Sequence, residues 1–140
     1  MERPQKLSKT YLSITKGAIH TLLILFVLGM FANLYIEIPE GLVNQAAWAF
    51  VFSSSAVIAM HAVLGTLLLI VSLASLVLAF LTHKTGWITA SIFGLIFTVL
   101  AAFSGSDFVS NGGSALSSLL MAFGFLGALI SYALAVFTSK

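Results

Sequence analysis

The sequence predicts an all-α integral membrane protein. Its fold is a four-helix bundle running up-down-up-down, with both termini cytoplasmic. Three observations predict it. First, the 140 residues are 60% hydrophobic and only 7% charged, whereas a soluble domain carries roughly 25% charged residues. Second, the apolar residues gather into four runs, and a spanning helix takes about 20 such residues. Third, the charges alternate across those runs. Arg3, Lys6, Lys9 and Lys16 precede the first run, Lys84 separates the second from the third, and Lys140 follows the fourth. Glu37, Glu40 and Asp107 fall in the other two gaps. Lysine and arginine mark the cytoplasmic side of a multi-pass protein. A prokaryotic plasma membrane is the expected location.

Residues 1–16 read as a polar, basic cytoplasmic tail that turns helical toward Lys16. Residues 17–140 read as one transmembrane domain. The first span covers 17–38. Its apolar core is too long for the core of a signal peptide, and no small-residue cleavage site follows. Glu37-Ile38-Pro39-Glu40-Gly41 ends it, because proline and glycine do not continue a helix. Residues 39–55 form an outer loop with a short interfacial helix around Trp48, since tryptophan favours the membrane–water boundary.

The second span covers 56–81. Thr82-His83-Lys84-Thr85 is then so short a link that spans two and three must be antiparallel neighbours. The third span covers 86–103, with Trp87 as an inner interface anchor. Residues 104–113 (SGSDFVSNGG) are rich in turn formers and read as a second outer loop. The fourth span covers 114–137. Four spans leave no room for a separate soluble domain.

Membrane helices pack through small residues that let backbones approach. Span two carries His61, Gly65, Leu68, Ser72, Ser75 and Ala79 at helical spacing. Span three carries Ala90, Gly94, Thr98, Ala101 and Gly105. Span four carries Ser117, Met121, Gly124, Ala128, Ser131 and Ala135. Span one has a polar stripe instead: Met30, Asn33 and Glu37, with Gly29 alongside.

Chemistry-bearing residues are few. The chain has no cysteine, which excludes disulfides, thiolate metal sites and c-type haem attachment. The six basic residues form no patch interleaved with exposed aromatics, so nucleic acid is not an expected partner. His61 is the sharpest candidate, because an ionisable group inside a span is costly and needs a partner. Glu37 is the expected partner. A polar cluster of Asn33, Glu37 and Asp107 near the outer face would surround them.

His61 reads either as a cofactor ligand or proton-handling group, or as one interhelical hydrogen bond that fixes helix order. Met30, Met60 and Met121 lie in the same outer half. Methionine with imidazole suits haem or Cu(I), and methionine is also a flexible core filler. His20 and His83 form a second candidate pair near the cytoplasmic rim. Asp107 and Asn111 read as caps of the fourth helix or as parts of a solvated loop.

His61-Ala62-Val63-Leu64-Gly65, on a helix of a four-helix bundle, resembles helix starts in small prokaryotic b-type cytochromes. Glu37-Ile38-Pro39 resembles the end of the first helix in certain small four-span prokaryotic membrane proteins. The cytochrome resemblance implies haem b between two helices with His61 as one ligand. Met121 then stands where a second histidine would be convenient.

Three functions follow as expectations. One is a non-catalytic membrane subunit carrying haem b, or less favourably copper, near the outer face and serving a homo-oligomer or larger membrane complex. The second is a transporter or channel component with an ion or proton site of Glu37, His61 and Asn33. The third is a membrane enzyme acting at the outer face, for which no nucleophile–base pair is visible.

Overall fold

A computed structural model describes residues 2–42 and 45–138. Lys140, counted with the basic side, lies outside the described residues. Among those residues the chain forms five helices: α1 (Glu2–Tyr35), α2 (Gln45–Ser53), α3 (Ala56–Thr82), α4 (Thr85–Ser110) and α5 (Ala115–Phe137). The four long ones are long and apolar enough to cross a membrane.

The expected tail is part of α1, which corrects the boundary at residue 16. The cause is a stripe that continues through the basic stretch. Tyr11, Thr15, Ala18, Leu22 and Leu25 recur at helical spacing, and all are buried. The lysines of the same stretch, Lys6, Lys9 and Lys16, face outward. The span Gln5–Tyr35 has 31 residues, about 46 Å at 1.5 Å per residue. That exceeds a hydrocarbon core of about 30 Å, so the basic end of α1 projects past the apolar layer.

α1 also stops short of the expected residue 38. Its last turn closes with the Ile36 amide on the Ala32 carbonyl. Pro39 and the left-handed Gly41 (φ 77°) then turn the chain. The short interfacial helix is present as α2. Ala47 and Val51 are its buried face, packed on α3 and α4. Trp48 and Phe52 stack on its exposed side.

α3 starts at Ser55, whose hydroxyl accepts the Val57 amide. It ends at His83 in the left-handed conformation (φ 56°), with the His83 amide bonded to the Phe80 carbonyl. α4 runs seven residues past the expected span end and absorbs most of the predicted 104–113 loop. Ser104 and Phe108 extend its buried face, and that packing overrides the turn preference of the Ser/Gly composition. The true turn is Asn111-Gly112-Gly113, where both glycines have positive φ.

The long helices form a closed ring in the order α1, α3, α4, α5, back to α1, with the diagonals α1–α4 and α3–α5 apart. Contacts between distant segments fix alternating directions. Tyr11 meets Trp87 and Thr15 meets Ser75 at one end. Asn33 meets Ser118 and Glu40 meets Gly112 at the other. The predicted small-residue stripes face inward: Ser72, Ser75 and Ala79 on α3, Ala90, Gly94 and Thr98 on α4, and Ser117, Gly124, Ala128 and Ala135 on α5 are buried. Leu, Ile, Val and Phe dominate the exposed faces, as suits helices solvated by lipid. The fold is that of a small multi-pass membrane protein.

Candidate functional site

His61 lies in the second turn of α3 and faces α1. The chain narrows to Gly29 there: a Cβ on Gly29 would stand 3.1 Å from His61 Cε1. The ring lies beside the Leu25 backbone carbonyl. Its Nδ1 is buried and has no hydrogen-bond partner. Among the described residues, every other histidine, acid or base is exposed, and His61 alone is drawn between helices.

Glu37 is not its partner. It falls two residues beyond the end of α1 and is exposed. It stands eight residues past Gly29, which is about 12 Å if measured at helical rise. Asn33 is engaged elsewhere, accepting from the Ser118 hydroxyl of α5 at 3.3 Å. Glu37, Asn33 and His61 therefore do not form the expected cluster. Helix counting placed them at one depth, but α1 ends early and its polar stripe turns away from α3.

Asp107 belongs to a different structure. Its carboxylate accepts from the Ser117 hydroxyl and from the Asn111 side-chain amide at 2.7 Å. These bonds join the end of α4 to the first turn of α5. The bond to α5 is made by the Ser117 side chain and not by a first-turn amide, so Asp107 ties the two helices together without capping α5, whose N-cap is Ser114.

The sulfur atoms do not converge on His61. Met30 and Met60 are exposed on the outer faces of their helices. Met121 packs its sulfur toward Gly105 of α4, on a helix that does not adjoin α3. A haem or copper site held by His61 with Met121 or Met30 within one copy does not fit this arrangement. Nor do His20 and His83 make a pair. His20 bonds through Nδ1 to the Lys16 carbonyl of its own helix at 2.7 Å and is exposed. His83 is spent on the turn after α3. Tyr11 is level with Trp87, so His20 lies nine residues deeper than that layer, about 13 Å. The described residues hold no group of three His, Asp or Glu side chains suited to a metal.

A second feature was not foreseen. At the basic end, hydroxyl groups connect the helices through the interior. The Tyr11 hydroxyl lies 3.0 Å from the Ser91 hydroxyl and donates to the Trp87 carbonyl at 3.3 Å. Ser91 and Ser75 are 3.4 Å apart, as are Ser75 and Thr15. One layer further in, Ser72 donates to Thr98 at 3.4 Å. The buried Tyr132 of α5 brings its hydroxyl beside both. All four long helices contribute. Ser72, Ser75 and Thr98 were visible as small residues at helical spacing, whereas Ser91 falls outside the predicted stripe of span three. Tyr11 and Thr15 were hidden because their segment reads as a polar tail.

The charges segregate in space as they do along the chain. Lys9 and Lys84 line one open cleft with Gln5 and Ser8. Lys84 holds its ammonium over the Trp87 ring at 3.9 Å from the centroid, and Tyr11 stacks on that ring at 4.4 Å. Glu37, Glu40 and Asp107 gather at the opposite end, where the Glu40 chain packs against Gly112. Set against protein-family models, curated proteins and solved structures, the chain matches none.

Proposed function

We propose that the chain is a non-catalytic subunit of a larger membrane assembly, engaged through His61. The observation that supports this reading is the unpaired His61 Nδ1. A polar atom shut away from water inside a bilayer is costly until something hydrogen-bonds it. Within one copy the nearest groups of α1 are Gly29, which offers no side chain, and the Leu25 carbonyl, which lies beside the ring without bonding Nδ1. A half-turn of the imidazole about Cβ–Cγ exchanges its two edges. His61 is only partly buried as a residue, so a polar group of a neighbouring chain can meet the ring after that exchange. Interhelical hydrogen bonds of this kind are an ordinary glue between membrane helices.

In this reading both termini and the 82–85 turn are cytoplasmic, and the membrane is a prokaryotic plasma membrane. The support is Lys6, Lys9 and Lys84 at one end and Glu37, Glu40 and Asp107 at the other.

The test is particle mass after mild detergent extraction from native membranes. The wild-type chain is expected in a particle larger than one chain plus its micelle. The His61→Leu variant is expected to fall to the single-chain mass with unchanged helicity. A wild-type chain that already runs at single-chain mass overturns the reading, as does a variant that stays in the larger particle.

A further inference from the structure

We infer that the cleft between the first turns of α1 and the α3–α4 turn binds the headgroup of an acidic phospholipid. Two lysines reach it from segments far apart in sequence, Lys9 from α1 and Lys84 from the turn, and Ser8 and Gln5 complete its lining. The folded chain therefore builds the cleft; no single charged stretch does so.

Three further features suit an anionic headgroup. The cleft lies beside the start of α4, a helix of 26 residues whose N-cap, Lys84, makes no side-chain hydrogen bond to the first turn. Uncapped amides and the positive end of the helix dipole favour an anion there. Among the described side chains no ion pair involves Lys9 or Lys84, and Glu37, Glu40 and Asp107 stand at the far end. Glu2 is the one acid of the sequence on the basic side. The third feature is depth. Lys6, Lys9 and Lys84, which stand at this end of the bundle, mark the headgroup level, and the buried Tyr11 and Trp87 rings stack directly below them. A phosphate at this height is tethered to acyl chains that run down the apolar faces of α1 and α3. A free phosphate lacks that second hold, so the lipid is the ligand. The inference shares with the proposed function only the placement in a bilayer, and it makes no use of His61.

Native mass spectrometry of the full chain from mixed phosphatidylcholine and phosphatidylglycerol micelles tests it. The wild type is expected to retain phosphatidylglycerol in preference to phosphatidylcholine. Lys9→Gln or Lys84→Gln alone should lower that preference about fivefold, and the double variant about thirtyfold, from the worth of one and two lysines at a membrane surface. Lys16→Gln, on the same helix but outside the cleft, should leave it unchanged. Millimolar inorganic phosphate should not displace the retained lipid. Equal retention of the two lipids overturns the inference. So does a double variant that behaves as wild type, a Lys16→Gln loss equal to that of Lys9→Gln, or displacement by phosphate. All four variants lie on exposed side chains, and helicity by circular dichroism confirms that each is folded. Failure here leaves the particle mass of the His61→Leu variant unaffected, so the two readings fail separately.

Discussion

The Tyr11 hydroxyl of α1 meets the Ser91 hydroxyl of α4 across the diagonal of the bundle, 3.0 Å apart. These two helices do not otherwise adjoin. The long tyrosine side chain spans this diagonal, as Tyr132 spans the α3–α5 one with its hydroxyl beside Ser72. Tyr11→Phe keeps the stacking on Trp87 and removes the hydroxyl. It should lower stability by about 0.6–1.7 kcal/mol, the span measured for interhelical hydrogen bonds in membranes. Tyr11→Ala removes the stacked ring as well and should cost several times more. Thermal unfolding in detergent, followed by circular dichroism, measures both. A Tyr11→Phe variant that melts like wild type would show that the hydroxyl carries nothing, and equal losses in the two variants that the stacked ring adds nothing.

The glycines of the α4–α5 seam should differ sharply from one on α3. A Cβ on Gly124 would sit 2.8 Å from the Phe97 carbonyl oxygen and the Ala101 amide nitrogen, which are backbone and cannot yield. A Cβ on Gly94 would sit 2.5 Å from the Tyr132 ring. At Gly65 nothing lies within 4 Å. Gly124→Ala and Gly94→Ala should each destabilise by about 1–3 kcal/mol through overpacking. Gly65→Ala should be neutral or slightly stabilising, given the higher helix propensity of alanine. Gly94→Leu should be far worse than Leu95→Ala. Melting temperatures of the five variants decide the ranking. A Gly65→Ala loss as large as that of Gly124→Ala would contradict the packing.

His61→Leu carries a prediction of unusual sign. Replacing a buried, unpaired polar group with an apolar one of similar size removes a desolvation penalty of about 1–3 kcal/mol. The isolated single chain in detergent should therefore melt higher than wild type, even though the substitution lies inside the bundle. A lower melting temperature would mean that the imidazole makes a hydrogen bond within one copy.

The orientation is open to direct labelling, because the chain has no native cysteine. In intact cells a membrane-impermeant maleimide should label the Glu40→Cys variant and spare the Lys84→Cys variant until the membrane is opened. The reverse pattern inverts the topology.

The bundle was legible in the sequence because small residues at helical spacing, such as Ser72, Ser75 and Ala79 or Gly124, Ala128 and Ala135, have little use on a lipid-facing surface. Element ends were less legible. Lys6, Lys9 and Lys16 made residues 1–16 read as a tail, although Tyr11 and Thr15 sit two turns and one turn before Ala18 on the same face. At 104–113 the turn-forming residues hid the buried Ser104 and Phe108, which keep α4 helical. The candidate site was the least legible part. The period of a helix tells which residues share a face, but it does not tell which neighbour that face meets. Met30 and Met121 thus looked inward toward His61 and in fact face lipid and α4. The His61–Glu37 pair failed for a related reason: one turn of error at the end of α1 moved the acid out of the span.

The notch at Gly94 has a consequence for how the protein is made. Helices leave the insertion machinery in chain order, so α1, α3 and α4 are in the membrane before α5 is synthesised. The bonds among Tyr11, Thr15, Ser75 and Ser91 involve only those three helices and form without it. The groove at Gly94, Phe97 and Ala101 stays open until the last helix arrives with Tyr132 and Gly124. α5 therefore closes this groove like a bolt, and until it docks the other three long helices stand as an open bundle.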